Sequence, residues 1–183
     1  MGKPSTSELI ALGGARGVWD DLEEALRIFP CADVGAVNDS GTEYSGHLTL
    51  WATLHPEKLW NWQMRRERRG LNTDYTAVSH KLVAGARVDL LKQQLFSGCS
   101  GLYLCQVAVM AFGYDRVIVC GMPLTEDPHF FNASAWNDAR KYRRGWREAS
   151  QQRELRGKIR SMSGWTRDRL GGPDEWLAVP AAS

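Results

Sequence analysis

Along most of the chain, short continuous apolar runs alternate with longer stretches whose apolar residues recur at helical spacing. Residues 9–12 form the first run, which breaks at Gly13-Gly14-Ala15-Arg16-Gly17. Val18, Trp19, Leu22, Ala25, Leu26 and Phe29 then follow at i, i+3, i+4 and i+7, which puts them on one face of a helix. Asp20, Asp21, Glu23 and Glu24 fill the early turns of that helix, where negative charge complements the helix dipole, and Pro30 closes it. Residues 34–37 make a second buried strand, followed by the turn-rich Asn38-Asp39-Ser40-Gly41. Residues 47–54 read as a third strand. A helix begins at Pro56, carries Leu59, Trp60, Trp62 and Met64, and ends in basic residues before Gly70. Residues 73–79 are a candidate fourth strand.

Residues 100–112 are apolar nearly all round. This predicts a buried helix with Ser97 or Ser100 near its N-cap and Gly113 just past its end. Residues 116–121 form a strand buried on both faces. After a proline-containing loop (123–128) come a polar helix over about 134–156 and a last short strand at 158–162. Alternating strands and helices, with the strands apolar on both faces, predict an α/β fold: a Rossmann-like three-layer sandwich with a mostly parallel sheet. No repeat or linker divides the chain, so residues 1–183 are expected to form a single domain whose C-terminal segment, about 134–170, is basic and helical. In such sheets ligands sit at the carboxyl ends of the strands, near the point where strand order reverses. That directs attention to the loops after Leu12, Val37, Leu54, Ser79 and Cys120, and to the helix start at Ser100.

With 183 residues and 43% apolar content, the chain can bury an ordinary core without a disulfide or metal. Its four cysteines (Cys31, Cys99, Cys105, Cys120) form no CxxC pair, which suits free thiols in a reducing cytoplasm. No apolar run is long enough to span a membrane, and the N-terminal residues lack a hydrophobic targeting core. The net charge of +2 hides an asymmetry. Residues 1–64 carry four Lys/Arg against nine Asp/Glu, and the remainder carries nineteen against twelve. Much of the excess lies in Arg65, Arg66, Arg68, Arg69 and between Arg140 and Arg169. These are either solvated helix faces or a surface for an anionic partner. Trp136, Trp146, Trp165 and Trp176 stand among the arginines, an arrangement that could stack bases and hold phosphates of a nucleic acid, whereas Trp51, Trp60 and Trp62 suit core or edge packing.

The candidate chemistry lies in the loops. Gly13, Gly14, Ala15 and Arg16 can bring backbone N–H groups close to an anion, or simply make a tight turn; the spacing is neither GxGxxG nor a Walker loop. Asn38 offers a donor and an acceptor for a base edge or ribose, or closes an Asx-turn. Ser100 and Gly101 add a hydroxyl and free helix N–H groups. His129 lies between Asp127 and the later chain in Glu126-Asp127-Pro128-His129, where two carboxylates would raise its basicity and let it deprotonate an acceptor hydroxyl. His47, His55 and His80 show no metal-ligand spacing, and no nucleophile elbow, HExxH or P-loop is present.

Leu12-Gly-Gly-Ala, Val37-Asn38, the block from Cys99-Ser100-Gly101 to Gly121, and Arg160-Ser161-Met162-Ser163 together resemble the small bacterial sialyltransferases and the related archaeal hydroxymethyl-dihydropterin diphosphokinases. The central block, in which Ser-Gly opens a small-residue helix ending near Gly113-Tyr114 and a buried strand follows at once, is its most specific part. The resemblance spans about residues 8–165. It implies a nucleotide or nucleotide sugar, cytidine-based in the sialyltransferases, with Gly13, Gly14 and Ala15 near the phosphate, Asn38, Ser100 and Gly101 near base or ribose, and His129 as general base. That family usually has Asn where Gly14 stands. The leading expectation is therefore a nucleotide-dependent glycosyltransferase. One alternative is diphosphate transfer from ATP to a small alcohol, which needs Mg²⁺ held by Asp39, Glu126 and Asp127. Another is a non-catalytic module binding nucleotide or nucleic acid.

Overall fold

A computed structural model describes residues 6–178; residues 1–5 and 179–183, and with them most of the N-terminal stretch read for targeting, lie outside the described residues. The elements are β1 (Glu8–Leu12), α1 (Val18–Ile28), β2 (Asp33–Val37), α2 (Ser40–Glu43), β3 (Leu50–Thr53), α3 (Pro56–Arg68), β4 (Thr76–Ser79), β5 (Leu90–Leu91), α4 (Ser100–Ala111), β6 (Arg116–Cys120), α5 (Ala139–Gln151), β7 (Ile159–Ser161) and α6 (Gly164–Leu170), with a 3-10 turn at Pro173–Trp176. The seven strands form one sheet in the order β5-β4-β3-β2-β1-β6-β7, and every neighbouring pair is parallel.

Side-chain alternation along the central strands feeds two cores. Leu9, Ala11, Val117 and Val119 pack with α4 and α5, while Ile10, Leu12, Ile118 and Cys120 pack with α1 and α3. Helices therefore cover both faces, giving the Rossmann-like three-layer α/β architecture. Ten consecutive residues of α4, Ser100–Val109, are buried, which explains why its sequence is apolar nearly all round. The chain steps outward from β1 to β5, then returns through α4 to β6 on the other side of β1. The strand order thus reverses between β1 and β6, and a crevice opens above their carboxyl ends. Among the described residues no helix is long and apolar enough to cross a membrane.

Several boundaries differ from the expected ones. The third strand shortens to Leu50–Thr53 because Leu48 N–H is drawn off to the Asn72 side chain (3.1 Å). The Asn38–Gly41 turn runs on into the single-turn helix α2. The basic segment 134–170 holds α5, β7 and α6: the helix expected over 134–156 narrows to Ala139–Gln151, with the Trp136 and Ala139 N–H groups committed to turn carbonyls, and the strand expected over 158–162 is β7. Five of its eleven cations carry counter-ions, in Arg140–Glu126 (2.8 Å), Lys141–Asp138 (2.8 Å), Arg144–Glu148 (2.8 Å), Arg160–Glu175 (2.7 Å) and Arg167–Asp174 (3.0 Å). The Trp and Arg side chains largely meet one another: Arg143 and Arg147 lie over Trp165, and Arg116 and Arg160 over Trp176. Trp146 is core.

Arg66 departs furthest from a solvated basic face. It is fully buried, and its guanidinium donates to the carbonyls of Asn72 (2.7 Å), Gly41 (2.7 Å), Tyr44 (2.7 Å) and Gly46 (3.3 Å) and to the Asn72 side chain. Among the described residues no carboxylate pairs with it. The charge is solvated by backbone dipoles, which tie α3 to the segment that follows Asn38.

Candidate functional site

The β1 loop and the long loop after β6 meet over the switch point. Gly13 N–H donates to the Cys120 carbonyl (2.8 Å), Ala15 N–H to Gly121 (3.0 Å), Arg16 N–H to Pro128 (3.3 Å), and Phe130 N–H back to Gly14 (2.9 Å). A single antiparallel bridge thereby pairs Ala15 with His129. The expected phosphate cradle is corrected by these bonds: three of the four N–H groups from Gly13 to Arg16 are spent on carbonyls. The glycines answer to packing. A Cβ on Gly13 would lie 2.4 Å from the Gly121 carbonyl oxygen, and one on Gly14 would lie 2.7 Å from Cδ2 of His129. Asn at position 14 would require that ring to shift.

Beneath these loops lies an open cavity of about 330 Å³, within the range of small-molecule sites. Gly13, Gly14, Ala15, Asn38, Ser100, Gly101 and His129 all line it; Arg16 does not, and it is exposed on the outer side of the loop. His47 and His80 also lie elsewhere, whereas His55 lines the cavity beside Lys58. Met122 forms part of the floor, and the absence of a side chain at Gly101 makes room for its sulfur, since a Cβ there would sit 2.2 Å away.

Asn38 holds a left-handed backbone (φ 51°) at the end of β2. Its carbonyl accepts from Trp51 Nε1 (3.1 Å), and its Oδ1 accepts from Thr53 Oγ1 (2.8 Å), which leaves the amide NH₂ without a partner among the described residues. The only other non-glycine residue with positive φ among the described residues, Leu124 (φ 50°), also lines the cavity, and its carbonyl is held by Arg143 at 2.8 and 3.1 Å. Such conformations cost on the order of 1–3 kcal/mol and persist only where surrounding bonds enforce them.

The N-terminus of α4 opens on the cavity through Gly98, Cys99, Ser100 and Gly101. Cys99, not a serine, is the N-cap residue, and it provides no side-chain cap. Ser100 instead accepts from Leu54 N–H (3.1 Å), fastening α4 to the end of β3. The first-turn N–H groups of α4, with Lys58 across the cavity, are therefore the anion-attracting part of the site.

His129 is half-buried, and its ring nitrogens have no hydrogen-bond partner among the described residues. Its ring lies 5.0 Å from Phe131 and 4.9 Å from Trp136, and Trp136 stacks on Tyr142 (5.6 Å, 28°). The expected boost from flanking carboxylates does not occur. Glu126 pairs with Arg140, Asp127 accepts from Thr125 Oγ1, and burial holds the imidazole below its ordinary 6.5, opposed only by the charge of Asp39. The imidazole is therefore neutral near pH 7, the form that can accept a proton.

Asp39, in turn, accepts from Trp62 Nε1 (3.0 Å) and Arg65 (3.5 Å). Asp39, Glu126 and Asp127 do not converge, and no group of three potential His, Cys, Asp or Glu ligands occurs among the described residues. Asp21 carries a different load: its carboxylate accepts from Gly121 N–H (2.8 Å) and Ser163 Oγ (2.7 Å), pinning the ends of β6 and β7 to α1, and burial raises its pKa.

Comparison with family models, curated proteins and solved structures finds no match to this chain. The site is therefore read from its own geometry. Lys58 and His55 follow Leu54, one of the strand ends singled out in the sequence, and could have been found there. Phe131, Trp136 and Tyr142 reach the cavity through the packing of a long loop and α5, for which no local pattern signals.

Proposed function

We propose that this protein is a nucleotide-dependent transferase that moves a glycosyl group from a nucleotide sugar bound in the switch-point cavity, with His129 as general base. The carrying observation is His129 itself: a neutral, half-buried imidazole, free of protein hydrogen bonds among the described residues, that lines the same cavity as the α4 N-terminus. In this reading the α4 N–H groups and Lys58 hold the phosphate, the Asn38 amide faces base or ribose, and the rings of Trp136 and Tyr142 cover the bound ligand. The transfer is a displacement. The acceptor hydroxyl oxygen bonds to the glycosyl carbon as the carbon–oxygen bond to phosphate breaks, the phosphate leaves with that electron pair, and His129 takes the hydroxyl proton and later releases it to water. The helix N–H groups stabilise charge that grows on the leaving phosphate.

Thermal unfolding across nucleotides and nucleotide sugars, with and without Mg²⁺, tests this. A ligand at about 100 times its Kd adds roughly 2.7 kcal/mol, which for a domain of this size raises Tm by about 5–10 °C. A selective rise with one nucleotide class, followed by release of that nucleotide from its sugar conjugate, is the expected result. Mg²⁺-dependent consumption of ATP would replace glycosyl with diphosphate transfer, and no response from folded protein would leave only a non-catalytic module.

A further inference from the structure

Five ring contacts form a continuous row that runs outward from the cavity. Trp19 meets Phe130 (5.5 Å), Phe130 meets Phe131 (5.1 Å), Phe131 meets His129 (5.0 Å), His129 meets Trp136 (4.9 Å), and Trp136 meets Tyr142 (5.6 Å). The inner end lines the cavity. The outer end, Trp19 with Phe130 and Phe131, forms a shallow depression with Glu43 as its polar edge. Phe131 borders both spaces and is 51% exposed, although the backbone bond from Phe130 N–H to Gly14 fixes the segment that carries it. The fold therefore holds an aromatic face toward solvent one ring away from the imidazole.

We propose that this depression is the acceptor subsite of the transferase, and that it takes a neutral polyhydroxylated molecule, a sugar ring; the role as acceptor rests on the transferase reading above. Two features select this class. Flat aromatic faces cover the C–H faces of a sugar, while a carboxylate at their edge accepts hydrogen bonds from its hydroxyls. Glu43 is held in place with one oxygen on Arg65 (3.1 Å) and the other on Arg69, and its carboxylate, 32% exposed, keeps a further acceptor site on each oxygen. Arg65 also reaches Asp39 (3.5 Å), so two arginines face two carboxylates and the local charges cancel. Among the described residues that line the depression the one charged group is the Glu43 carboxylate, which would repel a phosphate-bearing polymer. Phe131 borders both the depression and the cavity and lies 5.0 Å from the His129 ring, so an acceptor lying on it would have a hydroxyl beside the imidazole.

The test uses the full chain and two readouts. Nucleotide binding is followed by thermal shift. Saturation-transfer NMR then follows glucose, galactose and N-acetylglucosamine, with a ten-residue oligothymidine as the polyanionic comparison. The expected result is contact with at least one sugar, at least tenfold weaker in Trp19→Leu and several-fold weaker in Glu43→Gln, with nucleotide affinity within twofold in both folded variants. Nucleotide binding without sugar contact, or with sugar contact insensitive to both substitutions, overturns the acceptor subsite alone. Trp19-dependent binding of the oligothymidine in place of sugars overturns the assigned class. Absence of any nucleotide response overturns the transferase reading and the acceptor role with it.

Discussion

Arg66 offers the sharpest test of how the cavity wall is held. Replacing it with Met keeps most of the apolar stem, shortens the side chain by the guanidinium and removes every donor from a fully buried position. The carbonyls of Gly41, Tyr44, Gly46 and Asn72 then lose their partner at once. A charged hydrogen bond contributes roughly 1.5–3 kcal/mol, and each orphaned buried acceptor costs about 1–3 kcal/mol, but the bonds share one side chain and do not add. Losing the one donor group that these carbonyls share therefore costs about 3–5 kcal/mol, more than a single orphaned acceptor and less than their sum, a large part of a typical stability of roughly 5–15 kcal/mol. With a urea m-value of about 2 kcal/mol/M, the unfolding midpoint should fall by about 1.5–2.5 M with m unchanged. Nucleotide affinity should fall as well, because the tethered segment follows directly on Asn38 and Asp39. Arg66→Lys should recover part of the stability, since an ammonium supplies three donors but not the planar fork. A midpoint shift under about 0.5 M for Arg66→Met would mean that water satisfies these carbonyls, and the account of Arg66 as the tether would fail.

His129→Ala should retain nucleotide affinity and lose about 10²- to 10⁴-fold in turnover; because burial lowers the imidazole pKa, the base stays unprotonated as pH falls, and kcat/KM should be level near pH 7 and decline only below the ordinary 6.5. An acid limb centred above pH 7 would contradict this. Gly13→Ala sets a Cβ against the backbone oxygen of Gly121 and should cost about 1–3 kcal/mol in urea unfolding, whereas Gly14→Ala meets the movable His129 ring and should depress kcat more than stability. Asp21→Ala orphans Gly121 N–H and should cost about 1–3 kcal/mol, while Asp21→Asn keeps an acceptor. Since the folded pKa of Asp21 is raised, its ionised form is penalised above that value and relieved as pH falls toward 3.8, so any advantage of Asn over Asp in urea unfolding should shrink across that window.

The sheet was legible because its central strands are buried on both faces and so read as unbroken apolar runs, bracketed by glycines and turns. β5 was not: two residues, Leu90 and Leu91, carry no pattern, and they join the sheet only because Asp89 N–H and Lys92 N–H bond to β4 carbonyls. Arg66 looked like its neighbours Arg65, Arg68 and Arg69, because its burial depends on carbonyls 20 to 25 residues away, beyond any local window. The cavity's location was legible from the general rule about strand ends. Its aromatic cover was not, since Phe131, Trp136 and Tyr142 belong to a loop and helix whose approach is set by tertiary bonds such as Trp136 N–H to Glu126 and Arg143 to Leu124.

The glycine loop shows why composition alone misplaces an anion site. Gly13 and Gly14 satisfy the sequence requirement for a backbone that approaches a phosphate, yet the same freedom serves contacts with Gly121 and His129, and the loop's N–H groups are mostly consumed in making them. A backbone donor attracts a ligand only while it is unpaired. By that criterion the free donors at the switch point belong to α4, whose first-turn N–H groups have no side-chain cap and whose serine is turned to Leu54. The two loops act instead as a frame. Their pairing sets His129 over Gly14 and exposes Phe131 beside it, so the glycines govern the position of the base rather than the charge of the donor.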